Sequence, residues 1–233
     1  GTSNINLRGL GLSSTLVLID GRRQTVTGAT ANDGSVFVNT STIPLIAIQR
    51  VEVLKEGAAS IYGSDAVAGV VNYIFRRDFE GFELDISDKR TDAGNQKDQS
   101  ISFILGNQSN YLNWVLAASS LNRTAMQGIV KPELSQLAIS GLGNSFLLFG
   151  PSEVDQGPYA GTYGPFENIP DANCIENNGI LIPQSSGSRC GFLYGPRFNL
   201  VNDEDHENLY FSLKREFKSI TLDADLMYAS INV

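Results

Sequence analysis

The chain has 233 residues, of which 42% are hydrophobic and only 18% are charged, and its formal net charge at pH 7 is −8. This acidic balance argues against nucleic acid as a partner, because nucleic-acid binding requires a basic face. No run of 18 apolar residues occurs, so a transmembrane helix is excluded. A membrane β-barrel is not, since its apolar residues are spread over every second position.

Residues 1–79 are predicted to form a compact α/β unit. Its strands are short apolar runs that end at turn residues. A short helix is expected after Pro44, since proline is tolerated in the first helical turn. The predicted elements are a strand at Thr15–Asp20, a helix from Pro44 through Gln49, a strand at Arg50–Lys55, a helical turn at Ala58–Tyr62 and a strand at Gly69–Arg76.

From residue 80 to residue 233 the pattern changes to strict alternation of apolar and polar residues. Strands of about ten residues that alternate in this way are typical of an antiparallel transmembrane barrel. The connections alternate between tight turns and longer loops, and the longest, residues 122–206, favours a barrel over a compact soluble domain. The predicted strands are Gly81–Asp88, Ser100–Leu105, Tyr111–Leu121, Asn208–Phe217 and Ser219–Ser230.

Five strands cannot close a barrel, because single-chain bacterial barrels use eight or more and lipid leaves an open edge unsatisfied. We therefore expect the barrel to continue beyond Val233. The chain begins at Gly1 without an initiator methionine or a signal peptide. The sequence is interpreted as a fragment of a larger protein.

The long loop contains the two cysteines, Cys174 and Cys190, among Gly, Pro and Asn residues. Two such thiols are either free and inert or joined, and a secreted chain commonly uses a pair of this kind as a disulfide. The loop also holds aromatic residues that either stack on a ligand or pack the loop over the α/β unit. The candidates for ligand contact are Tyr159, Tyr163, Phe166 and Tyr194.

Several sequence motifs resemble the plug domain and first barrel strands of TonB-dependent receptors. The motifs are NLRGLG (Asn6–Gly11), LVLIDGRR (Leu16–Arg23), IPLIAIQRVEVLKEGAASIYGSDAVAGVVNYIFRR (Ile43–Arg77) and FEGF (Phe79–Phe82). The DANC segment before Cys174, with the later Cys190, is similar to a paired-cysteine external loop found in part of that family. A Gln-Arg pair at Gln49–Arg50 replaces the family's common Glu-Arg.

The resemblance implies an outer-membrane transporter that uses no catalysis, cofactor or bound metal. A scarce nutrient, a ferric siderophore or an oligosaccharide, would bind outside, and the inner-membrane TonB complex would pull on the plug. The barrel of this family usually has 22 strands and its wall contacts outer-membrane lipid. The TonB box, the first part of the plug and the remaining strands are absent from this sequence.

Ion pairs between plug arginines and lumenal carboxylates are predicted to hold the plug in the barrel, because such pairs are geometrically specific and costly to break. Arg8 and Arg50 are the preferred arginines, since the family motifs place arginines there. Four other arginines, Arg22, Arg23, Arg76 and Arg77, are interpreted as solvated charges. The predicted participants are Arg8, Arg50, Glu52, Glu83, Asp85, Asp223 and Asp225.

Glycines of the plug motifs are predicted at turns that need positive φ or close approach of the backbone. These are Gly9, Gly21, Gly57, Gly63 and Gly69. Two other functions stay open: a soluble secreted β-rich binding module, and a receptor that signals through an additional N-terminal domain.

Overall fold

The structure is a computed structural model that describes residues 2–55, 58–136, 138–141, 145–147, 160–185 and 187–233. The chain divides into two compact units, one of Gly1–Thr124 with Asn202–Val233 and one of Ala125–Val201. Among the described residues, no helix is long and apolar enough to cross a membrane.

The part of the chain before Gly81, here called the plug, is built around a mixed four-stranded sheet in the order β2-β1-β4-β3. Strand β1 runs parallel to β4, and β2 and β3 flank them in antiparallel orientation. The plug elements are β1 Thr15–Ile19, β2 Arg22–Arg23, β3 Ile48–Leu54, α1 Ala58–Tyr62 and β4 Gly69–Phe75. Single 3-10 turns lie at Leu7–Gly9, Leu12–Ser14, Thr40–Thr42, Leu45–Ala47 and Ser64–Ala66.

The helix predicted after Pro44 is wrong in length. The segment forms one 3-10 turn at Leu45–Ala47, and β3 has already begun at Ile48. The β-branched residues Ile48, Val51 and Val53 favour the extended chain. Pairing with β4 supplies the backbone hydrogen bonds that a helix would otherwise provide.

Three long strands follow the plug and are joined to one another by short connections, residues 91–96 and 109–111. They are β5 Gly81–Arg90, β6 Lys97–Gln108 and β7 Leu112–Arg123. Each is longer than the sequence pattern predicts, because pairing continues beyond the last alternating apolar residue: Arg90, for example, pairs with Lys97.

Residues Ala125–Val201, here called the inserted unit, contain short strands rather than a structureless loop. Its elements are β8 Met126–Gln127, α2 Pro132–Ser135, β9 Ile139–Ser140, β10 Ser145–Leu147, β11 Asn168–Pro170, β12 Gly179–Pro183, β13 Ser188–Leu193 and β14 Asn199–Val201, with 3-10 turns at Gly128–Val130 and Gly195–Arg197. Strands of two to six residues are too short to show a period, so sequence alone predicts only a loop.

The last two strands are β15 Glu204–Glu216 and β16 Thr221–Asn232, and they complete a sheet here called the wall sheet. Its order is β16-β15-β7-β6-β5, and every neighbouring pair is antiparallel. One face contacts the plug and is called the inward face. The outward face is apolar and exposed: Phe82 and Ile86, for example, are 63% and 70% exposed.

Candidate functional site

The inward face carries matched rows of residues, because side chains alternate and the strands pair in register. The row Ile104, Ala117, Tyr210 is apolar. One repeat further along the strands, the row Ser102, Ser119, Asn208 is polar. The wall sheet therefore presents the plug with an apolar band beside a polar one.

The plug sits against the apolar band through a buried hydrophobic cluster. Ile19, Ile43, Ala47 and Phe75 of the plug pack on Ile104, Val115, Ala117 and Tyr210 of the wall sheet. The rings of Phe75 and Tyr210 meet edge to face at 4.6 Å. A second cluster of Leu16, Leu18, Ala66 and Val70 lies within the plug. The interface between plug and wall is thus partly hydrophobic, where the sequence predicts charge alone.

Arg77, two residues beyond β4, joins the plug to the wall strand β16. Its Nη2 lies 2.8 Å from Asp223 Oδ1 and also contacts Asp225 Oδ2, while its Nε lies 3.7 Å from Asp20 Oδ2. Arg22 contacts the same Asp225 oxygen at 2.9 Å. This group of five charged residues is called the Arg77 cluster.

Burial disfavours the charge on Arg77, but hydrogen bonds to Asp225 and Tyr210 outweigh it, so the pKa of Arg77 is raised above the usual arginine value. The guanidinium therefore stays charged at any physiological pH. The Asp20 carboxylate also accepts a hydrogen bond from the Phe75 backbone at 3.0 Å. The turn after β1, the end of β4 and β16 are consequently held by one set of contacts.

Arg76 makes the equivalent connection to the other edge of the wall sheet. Its Nη2 lies 2.8 Å from Glu83 Oε2 on β5. The same guanidinium donates to the Ile46 carbonyl at 3.4 Å and stacks 4.4 Å from the Phe79 ring centroid. The adjacent arginines at the end of the plug therefore reach opposite edge strands.

The prediction that Arg76 and Arg77 are solvated charges is wrong, because both side chains are 27% exposed and pair with wall carboxylates. Arg22 reaches Asp225 of the wall but remains 62% exposed, as a solvated charge would be. Arg23 does not reach the wall sheet in its described contacts: it pairs with Asp65 of the plug at 2.5 Å, and both side chains are about half exposed. The missed signal for Arg76 is its closeness in sequence to the start of β5 at Gly81, which keeps it near the first wall strand.

The prediction that Arg50 pairs with a carboxylate of the barrel wall is also wrong in its described contacts. Its guanidinium lies 2.9 Å from Glu52 Oε1 on the same plug strand, because side chains two residues apart share one face. Arg8 lies in the first 3-10 turn with φ +58°. Of the predicted carboxylates, Glu83, Asp223 and Asp225 contact plug arginines, whereas Asp85 lines a cavity.

The cavity has a volume of about 650 Å³ and lies between the plug and the polar part of the inward face. Hydroxyl groups line both sides, with Ser3 and Thr40 on the plug joined through their oxygens at 2.6 Å. The Asn208 amide, also on the lining, contacts the plug carbonyl of Ser41 or, after a flip of the amide, that of Thr42, at 3.2–3.3 Å. Serines on the wall side are Ser87, Ser100, Ser102, Ser119 and Ser120.

Charged residues form one end of the cavity lining. Arg123 donates to both oxygens of Asp98 at 3.0 Å and lies 3.5 Å from Glu204. His206, which is 9% exposed, contacts the same Glu204 carboxylate at 3.0 Å. The guanidinium is therefore shared by two carboxylates.

In the inserted unit, Cys174 and Cys190 form a disulfide with a Cα–Cα distance of 5.8 Å, which confirms the predicted pairing. The Tyr163 hydroxyl donates to the Ser188 carbonyl at 2.7 Å, and the ring is 4% exposed. Tyr194 packs edge to face on Phe198. Phe166 is 67% exposed with φ +61°. Tyr159 lies outside the described residues.

Among the predicted turn glycines, Gly69 is constrained most tightly. It has φ +141°, and a Cβ atom there would lie 2.6 Å from the Leu54 carbonyl oxygen. Any side chain would separate β4 from the end of β3. Gly9, Gly21 and Gly63 have positive φ, and Gly57 lies outside the described residues.

A plug seated on the inward face of an antiparallel sheet, with an exposed apolar face behind it, defines the class of plugged outer-membrane barrels. Residues 1–70 match the family described as TonB-dependent Receptor Plug Domain. Over 78 residues the chain is 44% identical to the iron-regulated outer membrane virulence protein of Vibrio cholerae, covering 33% of this chain and 12% of that protein.

Solved receptors show the same fold over nearly the whole chain. A mutant of the ferric enterobactin receptor PfeA of Pseudomonas aeruginosa matches with a TM-score of 0.54 and 17% identity, covering 95% of this chain and 26% of that one. The siderophore receptor PirA of the same species matches with a TM-score of 0.50 and 14% identity, covering 98% and 29%. The chain thus spans less than a third of each of these relatives.

Residues 1–70 belong to the TonB-dependent receptor plug domain family, and the antiparallel strands that follow have the fold of the solved siderophore receptors. The resemblance seen in the sequence, the fold class and the outer-membrane location are confirmed. The boundary at residue 79, the long loop as an external element and the total of 22 strands stay predictions.

Proposed function

We propose that the full-length receptor imports an iron chelate across the outer membrane, with the plug closing the barrel until the TonB complex pulls on it. The observation that carries the proposal is the attachment of the plug to the wall sheet. An apolar patch and ion pairs to both edge strands hold it in place. Such an interface is firm at rest, yet it can be separated by force without breaking a covalent bond.

The choice of an iron chelate rests on the relatives. The curated relative is named for iron regulation, and the solved neighbours are a ferric enterobactin receptor and a siderophore receptor. The outward face is suited to contact with lipid, because its alternating side chains are apolar and several of them, such as Phe82 and Ile86, are exposed. Import requires the receptor to bind the chelate and to release it unchanged, so no bond of the ligand has to be broken.

Growth of a strain that lacks the full-length gene tests this proposal. Under iron starvation, with single chelates as the iron source, the strain should fail on the imported chelate and recover when the gene is restored. A matched strain without TonB should fail in the same way. Normal growth on every chelate, with a defect on an oligosaccharide as sole carbon source, would replace the iron chelate by a sugar.

A further inference from the structure

The cavity between the plug and the wall sheet has open hydrogen-bonding groups on its wall side. The hydroxyls of Ser87, Ser100 and Ser102 line it, and none of them has a hydrogen-bond partner among the residues that the structure describes. Ser87 and Ser100 are directly paired on neighbouring strands. Each hydroxyl donates one hydrogen bond and accepts two, so this group can bind several oxygens of one ligand.

The charges of the lining do not favour an anion. The lining contains two cationic side chains, Lys89 and Arg123, and three carboxylates, Asp85, Asp98 and Glu204. Arg123 is already occupied by Asp98 and Glu204, and Lys89 lies opposite Asp98 in the strand register. Asp85 has no ion-pair partner in the described part of the chain. An anionic ligand would therefore meet a lining in which the carboxylates outnumber the cationic side chains by one.

We propose that this cavity binds the uncharged, oxygen-rich part of the ligand, and that the imported chelate is neutral rather than anionic. The inference rests on the proposed function and narrows its substrate class. The volume of about 650 Å³ suits such a ligand, because small-molecule sites commonly enclose roughly 300–1,000 Å³. A ferric trihydroxamate fits this chemistry, since three hydroxamate anions balance the charge of Fe³⁺. A neutral oligosaccharide offers the same hydroxyl chemistry without iron.

Calorimetric titration of the purified full-length receptor distinguishes these ligands. The probes are a ferric trihydroxamate, the trianionic ferric tris-catecholate and a neutral maltooligosaccharide. We expect binding of the trihydroxamate, and about tenfold weaker binding in the double variant Ser100→Ala, Ser102→Ala, because two neutral hydrogen bonds together contribute about that factor. The matched control is Ser219→Ala, in the turn at the other end of the wall strands, which should bind as the wild type does.

Heat-modifiable gel mobility shows that each variant is folded before it is titrated. Tighter binding of the tris-catecholate than of either neutral probe would overturn the inference, and so would equal affinities in the wild type and the double variant. Binding of the maltooligosaccharide alone would keep the neutral class and reject iron. Absence of binding to all three probes would also reject the inference.

Uptake of labelled iron by cells separates failure of this inference from failure of the proposed function. TonB-dependent uptake from the tris-catecholate would leave the proposed function standing and remove the neutral substrate class. Serine-dependent binding of the trihydroxamate without any uptake would keep the ligand assignment and contradict import.

Discussion

Replacement of Arg77 by alanine is expected to loosen the plug from the wall sheet. The change leaves Asp223 and Asp225 facing Asp20 without the guanidinium that lies between them. Arg22 still contacts Asp225 but is largely exposed. Three carboxylates then repel one another at the point where the plug meets β16.

The free energy of plug attachment that is lost with Arg77 should lie between the value for a buried ion pair and the value for an exposed one. Removing one partner of a buried pair costs about 3–5 kcal/mol, and an exposed pair contributes about 0–1 kcal/mol. The Arg77 side chain is 27% exposed and Asp225 is 19% exposed, so a loss of about 2 kcal/mol is expected. That loss corresponds to an increase of about 30-fold in the population with a released plug.

The assay measures how plug release in the full-length receptor depends on denaturant concentration. Channel conductance in planar bilayers is the readout, because release of the plug opens the barrel. Arg23→Ala is the matched control, because Arg23 pairs with exposed Asp65 inside the plug and should cost less than about 1 kcal/mol. Equal midpoints for Arg77→Ala and Arg23→Ala would refute the structural reasoning for the Arg77 cluster.

Three other perturbations test the same structure. Arg76→Glu should release the plug at lower denaturant and the added Glu83→Arg should restore it; no recovery in the double variant, judged against each single variant, would count against this ion pair. Phe75→Ala should cost about 3–5 kcal/mol of plug attachment by emptying the cluster against the wall sheet, and a midpoint unchanged from the wild type would show that the apolar patch contributes little. Replacing Cys174 and Cys190 by serine should destabilise the inserted unit by about 3 kcal/mol, seen as faster proteolysis of residues 125–201, and equal cleavage rates would contradict it.

Strand positions in the wall sheet could be predicted from sequence because each strand has one apolar and one polar face. β16 illustrates this, with Leu222 and Leu226 exposed on the outward face and Asp223 and Asp225 directed at the plug. The period of two is a local property, so it survives without knowledge of the fold.

The partners of the arginines could not be predicted in the same way, because they depend on how two elements pack. Arg50 has a carboxylate two residues away on its own face and takes that partner. Arg77 meets Asp223 across 146 positions of sequence, a contact that only the docking of plug and wall defines. Ile104 and Ala117 are apolar residues on a nominally polar face, and their role is likewise visible only once the plug is placed.

The most direct test of the central claim is the initial rate of labelled-iron uptake by cells that carry the full-length receptor as their only candidate importer. The proposed function predicts uptake from at least one chelate that stops when TonB is removed and returns when TonB is restored. Uptake that continues at the same rate without TonB, or that is absent for every chelate, would contradict it.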